Sequence, residues 1–218
     1  LIKLSEHVYV HISVFNFPQF GRYKSNGVIF IEKGEAFLFD TPCTDSLTKS
    51  LVEWLGDSLK VKVVGFAPNH WHNDCIGGLG YLKTMKIPTF ANQRTIDIAK
   101  NKGLPIPENG FSDSLILNLK GKEIRCYYLG AAHSLDNIVI YLPSEKVLFA
   151  GCMVKDAQSQ SIGNYVDGDI VAWPETIKKV MQKWNDISFV VPGHGAVGNK
   201  ELLNHTLDVL EIHKGKSR

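Results

Sequence analysis

The segment Asn69-His70-Trp71-His72-Asn73-Asp74-Cys75-Ile76-Gly77-Gly78 sets two imidazoles and a carboxylate in alternation. It follows Val61 to Phe66, a continuous apolar run that reads as a buried strand. Extended residues at i and i+2 point to the same side, so His70, His72 and Asp74 can converge on one region. Imidazole and carboxylate suit zinc and borderline metals generally. A single histidine here would read as a satisfied group in a polar loop. Three potential ligands in alternation, between an apolar strand and Gly-Gly, read as a metal site.

Three further soft ligands occur in a similar context. His133 follows Tyr127-Tyr-Leu-Gly-Ala-Ala132, Cys152 follows Val147-Leu-Phe-Ala-Gly151, and His194 follows Val190-Val-Pro-Gly193. Each stands where an apolar strand runs into Gly or Pro, and such positions lie along one rim of a sheet, where sites are commonly built. Cys152 alone would read as a buried structural thiol. Five other ligand-type residues in similar places turn that reading toward a ligand.

The elements that must carry these residues follow from pattern. Strands are expected over Val8 to Val14, then Val28 to Ile31 and Ala36 to Phe39 around Lys33-Gly34. Between them, Phe15 to Tyr23 holds four aromatics with no clean period and reads as an apolar flap. Thr44-Asp45-Ser46 opens a helix with Leu47, Leu51 and Leu55 on one face. A short helix follows Gly77-Gly78, then a strand from Pro88 to Ala91 and a helix from Arg94 to Lys100. Hairpins are expected at Leu115 to Leu119 with Glu123 to Leu129, and at Asn137 to Leu142 with Lys146 to Phe149. A helix from Pro174 to Trp184, a strand from Phe189 to Val191 and a last helix from Glu201 to His213 complete the chain. Both halves run strands first and helices after, which predicts two β-rich halves packed sheet to sheet with helices outside.

Composition bounds the rest. At 218 residues, residues 1–218 read as one large domain with a substantial core. The net charge of +2 is too balanced for a protein that grips a phosphate backbone, and no apolar run spans a bilayer. Four cysteines among 218 residues make no disulfide scaffold, and none is expected to pair.

With these motifs in view, His70-x-His72-x-Asp74, Ala132-His133-Ser-Leu-Asp-Asn137, Gly151-Cys152-Met-Val-Lys155 and Pro192-Gly-His194-Gly195, the chain resembles the metallo-β-lactamases, most closely subclass B1. The resemblance runs from Leu4 into the C-terminal helix. It implies an α+β fold, an αββα sandwich, with two zinc ions in a groove at one edge. His70, His72 and His133 would hold the first zinc, and Asp74, Cys152 and His194 the second. Many relatives of the wider superfamily carry His after the motif Asp, and Asp where this chain has Cys152. This chain has Cys75 after Asp74, so Cys152 must complete the second site.

The implied reaction is hydrolysis of the β-lactam amide of penicillins, cephalosporins and carbapenems. Attack is by hydroxide held on zinc, with no covalent enzyme intermediate. Asp74 would orient the hydroxide, Lys155 would pair with the substrate carboxylate, and Asn164 would act as an oxyanion donor. Phe17 or Phe20 in the flap would supply an apolar contact to substrate. Asp40 resembles the family's buried Asp beneath the site. Gly77, Gly78 and Gly193 are expected to let the backbone pass close to the metals. Asn137 reads as capping a turn, and a thiol such as Cys75 beside a zinc pair as open to oxidation. His7, His11, His205 and His213 are read as structural, with His205 and His213 on a solvated helix face.

The resemblance also implies a periplasmic mature enzyme, without its signal peptide, acting on a small molecule; no feature demands more than a monomer, and composition argues against nucleic acid or membrane as a partner. The alternatives are a thioester or lactone hydrolase of the same fold, or a structural zinc or nucleic-acid-processing module. Cys152 in place of Asp argues against the former.

Overall fold

The computed structural model describes residues 1–17 and 21–216, with the side chains of Phe17 and Lys216 left aside. Sheet one has the order β1 (Ile2–Lys3), β2 (Val8–Phe17), β3 (Gly21–Glu32), β4 (Glu35–Phe39), β5 (Lys62–Ala67). Sheet two runs β12 (Phe189–Pro192), β11 (Val147–Gly151), β10 (Val139–Leu142), β9 (Lys122–Tyr127), β8 (Ser114–Leu119). A parallel pair, β6 (Phe90–Asn92) with β7 (Asn109–Phe111), stands apart. The helices are α1 (Asp45–Leu59), α2 (Asn73–Ile76), α3 (Leu79–Thr84), α4 (Gln93–Asn101), α5 (Trp173–Lys183) and α6 (Glu201–Lys216).

The apolar runs are continuous because the central strands bury both faces. Val28 and Phe30 point between the sheets, whereas Ile29 points to the layer under α1 and α3. In sheet two, Ile140 and Phe149 point inward, whereas Tyr141 and Leu148 pack under α5 and α6. This period of two on two-sided strands is what makes a four-layer αββα sandwich. Each half ends the same way: β4 pairs parallel with β5 across α1, and β11 pairs parallel with β12 across α5.

Three expectations change. β2 and β3 pair from Val8↔Phe30 to Phe17↔Gly21, so the stretch from Phe15 to Tyr23 is the end of a long hairpin and not a loop between short strands. The main-chain ladder carries it past the core, which is why the apolar pattern stops before the strand does. Of the two flap candidates, Phe20 lies outside the described residues, and only the backbone of Phe17 is described. The last helix continues through Gly215 to Lys216. Its His205 and His213 are half-buried rather than solvated, and His205 Nε2 lies 2.9 Å from Ser159 O.

Candidate metal centre

The carboxyl ends of β5, β11 and β12 meet at one edge of the sandwich, and the turn before β10 joins them. Asn69, just past β5, stitches this edge together. Its N–H donates to Asp40 Oδ1 (2.5 Å), its side-chain amide donates to Ile138 O, and its carbonyl accepts from Ile138 N (2.8 Å). The amide fills the space where Gly151 lacks a Cβ, at the register shift that ends β11 and aims Cys152. From β3, Asn26 Nδ2 donates to Pro192 O and Gly195 O, both at 2.9 Å, which fixes the turn that carries His194.

His70, His72 and Asp74 do converge, though not by extended alternation. The chain bends at Asn69–His72 and then turns into α2, which carries Asp74. A strand running straight on would leave the edge of the sheet. The bend and helical turn fold the three side chains back over it.

Two trios of donors result. In the first, His70 Nε2 and His133 Nε2 lie 2.8 and 3.2 Å from His72 Nδ1. In the second, Cys152 Sγ lies 3.1 Å from His194 Nε2 and 4.0 Å from Asp74 Oδ2, with His194 Nε2 3.3 Å from that oxygen. Around His70, His133 and Cys152 the donor atoms also lie within 4.8 Å of one another, so the trios adjoin.

The first trio fits a cation for a reason visible in its hydrogen bonds. His70 Nδ1 faces two acceptors, Asn69 Oδ1 at 3.1 Å and Cys75 Sγ at 3.3 Å, so its hydrogen is on Nδ1. His72 Nε2 faces Asp167 Oδ2 at 3.1 Å, so its hydrogen is on Nε2. Two lone pairs therefore face each other across 2.8 Å, an arrangement that a metal ion would relieve. Burial drives His70 well below the ordinary histidine pKa and takes His133 to about 2, which keeps both in the neutral form that binds metal. His133 Nδ1 is buried without a hydrogen-bond partner among the described residues.

Charge balances differently in the second trio. Burial opposes ionisation of Asp74, but His194 and the neighbouring imidazoles prevail and hold it below the usual carboxylate value. Burial also opposes charge on His194, and there Cys152 and Asp74 win and raise it. Burial pushes the Cys152 thiol up.

Beneath the two trios, Asp40 takes a left-handed φ of 59° and is buried. Its carboxylate also hydrogen-bonds Cys75, whose thiol burial pushes well above its ordinary value. Cys75 thus buttresses His70, and its burial and raised pKa oppose the oxidation expected of it. Asn137 caps a turn, accepting from Ser134 N at 3.0 Å. Of the three glycines, Gly193 lies against Cys152, whereas a Cβ at Gly77 or Gly78 would meet Cys43 or Thr48 rather than the ligands. Lys155 is half-buried, its ammonium donating to Cys152 O at 3.0 Å and lying 5.3 Å from the Trp173 ring centre. Asn164 is exposed on the facing loop, its Oδ1 accepting from Val166 N at 3.2 Å. Asp167 and Tyr23 were not singled out by sequence. Their contacts to His72 and His194 span 95 and 171 residues, and no local pattern marks them.

Six His, Asp and Cys donors thus stand together at one edge of the sandwich, a set suited to holding metal ions. No family model matches the chain. It is 51% identical over 210 residues to "Metallo-beta-lactamase type 2" of Bacteroides fragilis, covering 96% of this chain and 84% of that protein. To the protein of the same name from Bacillus cereus it is 34% identical over 209 residues, covering 96% and 81%. The solved metallo-β-lactamase from Pontibacter korlensis superposes with a TM-score of 0.92 at 33% identity, covering 96% of this chain and 97% of that one. The chain belongs to the metallo-β-lactamase family.

Proposed function

We propose that the protein hydrolyses the β-lactam amide of penicillins, cephalosporins and carbapenems, and so confers resistance, with two zinc ions bound at the adjoining trios. The observation that carries this reading is the facing of unprotonated His70 and His72 nitrogens beside a buried Asp74–Cys152–His194 set. His70, His72 and His133 would hold the first zinc, and Asp74, Cys152 and His194 the second. Thiolate and imidazole favour zinc over magnesium or calcium. Zinc there supplies Lewis acidity and brings the pKa of bound water from ~15.7 to about 7.

The chain's own groups do the rest. Asp74, held ionised, accepts a hydrogen bond from the attacking water and orients it. Lys155 pairs with the substrate carboxylate, and its partial burial removes the water that would screen the contact. Asn164 has its Oδ1 engaged by Val166 N, which leaves its amide N–H groups to meet the developing oxyanion. Such a donor contributes ~2.7–4 kcal/mol. Phe17 and Phe20 supply apolar contact to substrate. No side chain serves as a covalent nucleophile.

Donors come from both halves, so residues 1–218 work as one domain. Among the described residues no helix is long and apolar enough to cross a membrane. We read the enzyme as a periplasmic monomer whose partner is its small-molecule substrate.

A chromogenic cephalosporin tests the reading. Zinc-replete protein is expected to open it and to leave thioester and lactone substrates nearly untouched. Turnover of those substrates without cephalosporin turnover would hand the site to the alternative chemistry.

A further inference from the structure

A groove beside α1 lies apart from the metal centre. It opens at the amino half of β5, whereas His70 and His72 follow the carboxyl end of that strand. Its volume is ≈ 650 Å³, and Val52, Gly56, Val64, Met85 and Ile87 line it. Size and apolar lining are those of a small-ligand site. Two cations, Lys62 and Lys86, stand among the lining residues, and no acid does. Neither lysine forms an ion pair among the described residues, unlike Lys120 and Lys122, which pair with Glu35 and Glu145.

Two of the lining residues run against local preference. Gly56 is inside α1, its φ is not positive, and a Cβ on it would meet nothing nearer than Val61 O at 4.0 Å. Neither crowding nor a left-handed backbone calls for glycine there, and glycine weakens a helix interior relative to alanine. What the missing side chain leaves is an open floor. Lys86 takes a left-handed φ of 54°, a conformation that glycine adopts at less cost. That position nonetheless carries a cation, next to a Met85 that is 53% exposed.

We propose that this groove binds a free single-chain amphiphilic anion, of the class of long-chain carboxylates. The chain lies over Gly56 against Val52 and Val64, and the headgroup meets Lys62 and Lys86. Apolar lining suits the hydrocarbon, and two ammonium groups without a counter-ion suit the carboxylate. A concave groove admits one chain at a time, which sets a free amphiphile apart from a bilayer surface.

The test titrates dodecanoate, below its micelle-forming concentration, into ¹⁵N-labelled, zinc-loaded full-length protein and follows the amide shifts. Saturable shifts are expected at Gly56 and at residues 62–64 and 85–87. Decanoate is expected to bind about three- to tenfold more weakly, as a shorter buried chain requires. Dodecyltrimethylammonium, the same chain with a cationic head, is expected not to compete. Lys62→Gln and Lys86→Gln should each weaken binding about two- to fivefold, the range of an exposed ion pair. Gly56→Leu fills the floor and should abolish binding while hydrolysis of a cephalosporin is unchanged. Should that variant fail to fold, the wild-type shift map and the two lysine variants decide. Shifts confined to residues 70–74 and His194 would show the carboxylate reaching only the metals, and would overturn the groove. Equal affinity for dodecyltrimethylammonium would overturn it too, as would groove shifts with phosphatidylglycerol vesicles and none with dodecanoate.

Discussion

Lys155 shows how much chemistry a single side chain carries here. Its ammonium stays over Trp173 and bonded to Cys152 O, so it is held near the metal trios rather than waving in solvent. Burial lowers its pKa, which marks a charge that gains from an anionic partner. A charge-assisted hydrogen bond of ~1.5–3 kcal/mol corresponds to about 10- to 100-fold in binding. Lys155→Glu is therefore expected to raise KM by that factor for substrates with a carboxylate beside the scissile ring, with a smaller change in kcat. Unchanged KM in steady-state assays would remove Lys155 from substrate recognition. At this scale the sequence was informative about ligands and silent about their supports. Six candidate donors could be singled out because their types are rare and they follow apolar runs. Asp167, Tyr23 and the Asn69 stitch were not, because each acts on a group that only the folded chain brings near.

At the scale of elements, strand and helix types were readable from period and punctuation, and their limits were set by contacts the pattern does not encode. Thr44 caps α1, accepting from Leu47 N, as its sequence suggests. The β2–β3 hairpin outruns its apolar pattern, and the turn α2 hides inside a motif that looks extended. The same hairpin seats His11 under the site. Gly27, opposite it, has no Cβ to collide with the ring, and His11 Nε2 lies 3.1 Å from Asp40 O. Burial lowers the His11 pKa from 6.5 to about 4, despite that hydrogen bond. The unfolded chain therefore binds this proton first as the pH falls. Stability from neutral His11 is complete above about 6.5 and is lost on descending to about 4, a total of about 3 kcal/mol. His11→Gln cannot take up the proton, so its urea midpoint is expected to fall less than the wild type's between about pH 7 and about pH 4.5. Parallel losses in the two proteins would contradict the assignment.

The whole molecule is two similar halves, each a set of antiparallel strands followed by a helix and a parallel strand. The repeat of strands then helices made this legible, since continuous apolar runs require layers on both faces. How the two edges align was not legible, because it depends on Asn69, Gly151 and Asn26 bridging between halves. The alignment matters for function: the first trio joins His70 and His72 of one half to His133 of the other, and the second joins Asp74 to Cys152 and His194. The αββα core packs without help from the trios, so metal removal should cost activity while leaving the fold in place. The most direct measurement of the central claim is hydrolysis of a carbapenem, followed by ultraviolet absorbance, before and after a chelator and again after added zinc. The account predicts turnover, its loss with native circular dichroism retained, and its recovery with zinc. Turnover that survives complete metal removal, or none in the zinc-loaded protein, would contradict it.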